Sequence, residues 1–269
     1  PQGVSGTWRV DGAVIHRVSS ECTAPSVGFI VPGMVDTHCH IGYSATGSVS
    51  EPEMAEQARA TLASGVTLDN SPAARATGLH LIRCGRHVAR PKRYMRDLPL
   101  DVEDQSELPD VLASMASTSD GWVKIVGDWI DRSGGSESDL MPLWDPAVLR
   151  DAVCAVHEAG ARIAVHAFSH RVIDSLIEAG VDDIEHGSGI DADQASEIAT
   201  RGIAVTPTLR NLGDFKDFAA QAGEKYPVYA ATMRGMYEMR REHFEMLVNS
   251  GVLLLMGTDS GGYQDHGTI

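Results

Sequence analysis

Two histidines separated by one residue close an apolar run, Gly28-Phe-Ile-Val-Pro-Gly-Met-Val-Asp-Thr-His38-Cys-His40. On a β-strand, side chains alternate between faces, so His38 and His40 point one way and Cys39 the other. Two imidazoles on one face at a strand end make half of a zinc site. With 11 His in 269 residues, chance alone supplies such a pair about 0.45 times, so the rest of the chain must decide. Four other polar residues occupy similar positions. Lys124 lies in Gly121-Trp-Val-Lys-Ile-Val-Gly and His166 in Ala161-Arg-Ile-Ala-Val-His-Ala. His186 lies in Asp182-Asp-Ile-Glu-His-Gly and Asp259 in Val252-Leu-Leu-Leu-Met-Gly-Thr-Asp-Ser-Gly-Gly. Each sits at or near the C-terminal end of a short apolar run, with a Gly or small residue following. Parallel strands that deliver residues to one rim of a barrel have this pattern.

The elements needed to position them are legible. Strands are expected near Ile30–His40, Gly65–Leu68 and Leu81–Val88, then at Trp122–Val126, Arg162–Ala167, Asp183–His186, Ala204–Thr208 and Val252–Thr258. Helices are expected at Glu51–Ser64, Pro146–Ala159, Arg171–Ala179, Ala192–Arg201 and Ala230–Ser250. Several end in a glycine stop, as at Gly160, Gly180 and Gly251. Eight strands alternating with helices favour a closed parallel barrel over an open sheet. Before them, Trp8 to Val18 reads as a hairpin turning at Asp11-Gly12.

The order HxH, Lys, His, His, Asp resembles the amidohydrolase superfamily, in its binuclear branch with a carboxylated lysine. The opening Pro32-Gly-Met-Val-Asp-Thr-His-Cys-His is similar to that family's first-strand signature. The resemblance runs from about Trp8 to Gly262. It implies an α/β fold: a (β/α)8 TIM barrel over residues 28–269, with residues 1–27 contributing strands to a small β-sandwich subdomain. The chain stops at Ile269, just after the eighth expected strand. The last helix and the strands that return to the sandwich are therefore expected to be missing. The stretch after Gly65 also leaves little room for a full helix before Leu79.

The resemblance assigns roles as well. His38 and His40 would hold the more buried of two divalent metal ions, zinc foremost. His166 and His186 would hold the second. Lys124, N-carboxylated by CO2, would bridge them. An uncarboxylated ammonium there would be desolvated and repelled by the cations, whereas a strand lysine with its head in solvent would need neither. Asp259 would ligate the first metal, take a proton from the attacking water and return it to the leaving nitrogen. Otherwise it would cap a helix or a turn. A metal-bridging hydroxide would attack the substrate carbonyl. Strand alternation turns Glu185 away from His186, so Glu185 is expected outside the site. His170 is expected at a helix start.

Substrate residues are sought after the third strand, in Arg86-His87-Val-Ala-Arg90-Pro-Lys92-Arg93. A guanidinium such as Arg86 could clamp a carboxylate, and the stretch could equally be solvated. His87 is a candidate catalytic contact to the tetrahedral intermediate. Tyr94, Trp129 and Trp144 are candidates for the pocket wall, and His266 for the rim. Within the superfamily the chain is similar to the imidazolonepropionase-like and Xaa-Pro dipeptidase-like group. That implies an amide-type C–N hydrolase acting on N-acyl amino acids, dipeptides, carbamates or ureas. A mononuclear zinc deaminase or cyclic-amide hydrolase stays open, as does a phosphotriesterase or lactonase. Such deaminases typically lack the bridging lysine and often carry an acid soon after the fifth-strand histidine, which His166-Ala-Phe-Ser-His170 does not. A barrel kept as a non-catalytic scaffold is disfavoured, because all six proposed ligands are present.

Composition bounds the partners. Lys and Arg total 22 against 37 Asp and Glu, a net charge of −15, which argues against nucleic acid or an anionic membrane. A small-molecule substrate is expected, with a homo-oligomer left open. The four cysteines, Cys22, Cys39, Cys84 and Cys154, show no framework spacing, so reduced thiols in a cytoplasm are expected. No apolar run reaches a membrane span. Pro1 is an improbable native start, and an upstream segment is expected.

Overall fold

The computed structural model describes residues 6–11, 14–18, 29–68, 79, 82–95 and 98–268. The chain divides into two units, Pro1–Pro32 and Gly33–Ile269. In the first, strands β1 (Thr7–Asp11) and β2 (Val14–Val18) pair antiparallel, with Thr7 opposite Val18 and Asp11 opposite Val14. This is the expected hairpin; Gly12 of its turn lies outside the described residues.

In the second unit, β3 (Met34–Val35) is followed by a small hairpin, β4 (Tyr43–Ser44) and β5 (Gly47–Ser48), then helix α1 (Glu51–Ala63) and β6 (Val66–Leu68). Next come β7 (Val88–Ala89), β8 (Leu100–Asp101), α2 (Leu108–Ala116) and β9 (Trp122–Val126). A second hairpin, β10 (Asp128–Ile130) and β11 (Leu140–Pro142), precedes α3 (Pro146–Glu158), β12 (Arg162–Ala167) and α4 (His170–Ala179). The chain continues through β13 (Asp183–His186), α5 (Ala192–Arg201), β14 (Ala204–Thr206), α6 (Leu209–Ala222), α7 (Pro227–Asn249) and β15 (Leu253–Leu254).

Seven strands form one parallel sheet in the order β15-β14-β13-β12-β9-β7-β8. The central strands are the long apolar runs of the sequence, buried on both faces as a helix-covered parallel sheet requires. Ile125, Val165 and Ile184 point from β9, β12 and β13 into a core shared with α2 to α5. Helix α4 buries Val172, Ile173, Leu176 and Ile177, one stripe of its surface. Its left-handed cap is Gly180, at φ 77°, and α3 starts at Asp145, whose carboxylate accepts from the Ala147 amide at 2.8 Å. No helix among the described residues is long and apolar enough to cross a membrane.

The first and last segments of this unit lie side by side. The Thr37 amide donates to Met256 O at 2.9 Å, Asp259 N to His38 O at 2.8 Å and His40 N to Ser260 O at 2.7 Å. The buried Asp36 carboxylate takes over part of this ladder, accepting from Thr258 N at 3.0 Å and Thr258 Oγ1 at 2.6 Å. The strands expected at Ile30–His40 and Val252–Thr258 are therefore short, because a side chain replaces some backbone partners. β6 pairs parallel with β3, as expected for a second strand. The third strand is assigned only at Val88–Ala89, and Leu81 lies outside the described residues, as does most of the terse stretch after Leu68.

Candidate metal centre

His38 and His40 converge as the alternation requires. Their Nε2 atoms are 3.2 Å apart, and each lies 2.9 Å from one oxygen of Asp259. His186 approaches from β13, its Nε2 3.0 Å from His166 Nδ1 and its Nδ1 2.7 Å from the Thr208 hydroxyl. The His38 and His186 rings are 4.8 Å apart. Lys124 is buried beneath them and forms an ion pair with the Glu185 carboxylate. Glu185 also lies 3.0 Å from His38 Nδ1. The six predicted ligands thus converge from two sides, His38, His40 and Lys124 lining one cavity and His166, His186 and Asp259 another.

Glu185 corrects the sequence reading. Register places Lys124, Ala164 and Asp183 in one row and Val126, His166 and Glu185 in the next, with Ile125, Val165 and Ile184 between them. Those three apolar residues face the helices, so alternation turns Glu185 inward with His166. His186 is the residue that departs. Its φ is +64°, a left-handed conformation that swings the imidazole back into the site. Thr208 (φ 38°) and Asp259 (φ 57°) share this conformation. Three of the four non-glycine residues with positive φ among the described residues therefore cluster here, where strain is commonly stored.

Burial lowers the pKa of His40, and lowers those of His87, His166 and His186 well below the ordinary imidazole range, leaving the neutral, ligating form. Burial alone would raise Asp259, but the His38 and His40 imidazoles hold it well below the carboxylate range. Burial brings Lys124 down to about 8. A carboxylate oxygen and imidazole nitrogens thus share one small volume, and His166 Nε2 is buried without a hydrogen-bond partner among the described residues. That donor set fits divalent cations. Two groups of potential ligand atoms overlap at His38, one with His40 and Asp259, the other with Glu185 and His186.

Two glycines permit this convergence. A Cβ on Gly261, at φ +103°, would lie 2.3 Å from His40 O, and one on Gly257 would lie 2.4 Å from Thr206 Cγ2 and 2.9 Å from His38 Cβ. Gly261→Ala is expected to destabilise the fold by about 2–4 kcal/mol, read as a lower thermal midpoint, and to weaken metal binding as His40 shifts. An unchanged midpoint would contradict the close approach.

The substrate candidates divide. Tyr94 and Trp129 meet edge to face at 4.9 Å, and each lies within 5.5 Å of the His166 ring. Both line a cavity of about 290 Å³ that reaches His166, His186 and Asp259. His87 is buried 5.1 Å from the His40 ring. Arg86 is elsewhere: its guanidinium holds the Leu98 and Pro99 carbonyls. Arg90 bonds to the Val102 and Glu103 carbonyls, and Arg93 pairs with Asp131 at 2.9 Å. The loop arginines secure backbone and an acid, and none lines this cavity. Trp144 belongs to the core, donating to Val126 O at 2.7 Å. His266 contacts the Thr61 hydroxyl at 3.3 Å, and His170 opens α4 as expected.

The sequence reading missed Asp36, Asp128, Arg132 and Asn211. Asp128 is fully buried, accepts from the Phe168 and Ser169 amides and lies 3.8 Å from His166 Nε2. It had the same signal as the predicted ligands, an acid just after an apolar run.

Residues 29–269 match the Amidohydrolase family. An uncharacterized protein of Mycobacterium tuberculosis is 41% identical over 272 residues, covering 97% of this chain and 72% of that protein. One from Mycobacterium bovis matches to the same extent. Among solved structures, a Xaa-Pro dipeptidase with bound methionine superposes with a TM-score of 0.68 at 21% identity, over 88% of this chain and 68% of that one. A prolidase complexed with N-methylphosphonate-L-proline gives 0.69 at 20%, over 95% and 74%. The A. niger ochratoxinase gives 0.65 at 17%, over 88% and 64%.

Proposed function

Because the chain belongs to the amidohydrolase family, whose members are hydrolytic enzymes acting on carbon–nitrogen bonds, we propose that it is a binuclear metal-dependent hydrolase of an amide-type bond. The observation that carries this reading is the convergence of His38, His40 and Asp259 with His166 and His186 above the buried Lys124. The prolidase, Xaa-Pro dipeptidase and ochratoxinase likenesses support a substrate of the peptide or N-acyl amino acid type. A closed eight-stranded barrel with a β-sandwich built partly from residues 1–27, and a cytoplasmic location, belong to the same proposal.

His38, His40 and Asp259 would hold one cation, and His166 and His186 the other, with carboxylated Lys124 between them. When bound, the cations supply a water acidified toward neutrality and polarise the scissile carbonyl. The protein does the rest. Asp259, ionised and backed by His38 and His40, accepts the water's proton at Oδ1 and returns it to the leaving nitrogen. Thr208 orients His186 through Nδ1, leaving Nε2 free to ligate. Tyr94 and Trp129 wall the substrate side. His87, whose ring lies 5.1 Å from that of His40, is the candidate contact to the developing oxyanion.

The test is metal content by plasma mass spectrometry on protein purified with bicarbonate, with turnover of a dipeptide and N-acyl amino acid panel. Two metals per chain and release of free amino acid are expected. One metal with deamination instead of hydrolysis would overturn the reading.

A further inference from the structure

The cavity beside the metal centre has a composition that narrows the substrate. Its walls are aromatic. Tyr94 and Trp129 stand on one side, and Phe168 packs 4.4 Å from the His166 ring. Phe218 and Tyr263, in edge-to-face contact at 5.1 Å, also line the cavity. Such walls accept a flat ring by offset or edge contacts.

Two polar groups in this wall lack partners among the described residues. Asn211, 5% exposed, has an unpaired Oδ1, and Trp129 has an unpaired Nε1. An acceptor and an N–H donor left unsatisfied in an apolar wall are costly unless a ligand completes them. A substrate amide carries the complementary N–H and C=O.

One arginine reaches the cavity. Arg132, at the start of the 3-10 turn after β10, lines it and forms no hydrogen bond or ion pair among the described residues. Its charge is felt by Tyr229, another wall residue. The neighbouring acid, Asp131, is already paired with Arg93. The guanidinium is thus an uncommitted cation lining an aromatic cavity, suited to donating two parallel hydrogen bonds to a carboxylate.

We propose that this cavity selects aromatic amides with a free carboxylate, of the N-aroyl or N-arylacyl amino acid type, the ring lying among Tyr94, Trp129 and Phe168 and the carboxylate on Arg132. The proposal rests on the hydrolase reading for its turnover but not for its binding.

Calorimetric titration of zinc-loaded protein with N-benzoylglycine, N-benzoylglycinamide and N-acetylglycine separates the two. N-Benzoylglycine is expected to bind about tenfold or more tightly than either of the others. Arg132→Gln brings the acid and its amide to the same affinity, and Arg132→Lys recovers part of the difference. Equal binding of acid and amide by the wild type overturns the proposal. So does equal weakening of both by Arg132→Gln, or no binding of any of the three. If the acid is preferred but glycine is never released, the anionic aromatic site stands and the hydrolase reading fails.

Discussion

Asp259→Asn is expected to lower kcat for amide hydrolysis about 10³–10⁴-fold, a loss of roughly 4–5.5 kcal/mol of transition-state stabilisation. The asparagine keeps the size of the side chain and one oxygen that can face His38 and His40. It cannot accept a proton at neutral pH. Two effects therefore coincide: the water loses its base, and the leaving nitrogen loses its acid. The left-handed backbone at Asp259 tolerates Asn better than most residues, so the fold is retained. The measurement is steady-state turnover alongside metal content. Activity within tenfold of wild type at full metal loading would remove Asp259 from proton transfer and leave it a ligand only.

Lys124→Ala is expected to bring the metal content from about two ions per chain to one or fewer, with loss of turnover. The argument starts from burial. Lys124 is 2% exposed, and desolvation lowers its pKa to about 8. At pH 7 roughly a tenth of the chains would then carry the free amine, against fewer than about one in a thousand for an ordinary lysine. Only the free amine attacks CO2. It forms an N–C bond and releases a proton, leaving a carbamate anion in place of a cation. Glu185 is the partner of the uncarboxylated lysine and would be repelled by that anion. Labelling with ¹³C-bicarbonate should give a carbamate resonance in the wild type and none in the variant. Two metals retained by Lys124→Ala, with no carbamate signal in either protein, would make Lys124 a structural ion-pair partner of Glu185.

Much of the scaffold was legible because its signals are local. The strands at Trp122–Val126, Arg162–Ala167 and Asp183–His186 and the helix at Ala192–Arg201 occur where sequence places them. Apolar runs of strand length, bounded by glycine stops and Asp caps, need no distant partner to be read. Helix α6 was missed even though Leu212, Phe215 and Ala219 are buried at helical spacing. It enters through a left-handed Thr208, which no capping signal announces. Arg86 and Trp144 were misjudged for another reason. Proximity in sequence to a rim says nothing about which way a long side chain turns, and both found backbone carbonyls instead.

By itself, then, the sequence determined which candidate ligands stand near strand ends and which short strands hold them, since alternation and capping act within a few residues. It put His38 and His40 on one face, Lys124 within β9, His166 and His186 at or near the ends of β12 and β13, and Asp259 after the last apolar run. Only the tertiary structure decided how these ends meet. The ladder joining His38 to Asp259 spans 221 positions of chain and depends on the buried Asp36 carboxylate for its closure. Glu185 lies inside because register with β12 fixes its face, and His186 joins it only through a backbone conformation that alternation cannot foresee. Arg132 reaches the cavity from the turn that follows β10. Each of these is a long-range or strained arrangement, whose energy comes from partners that a local reading of the chain does not contain.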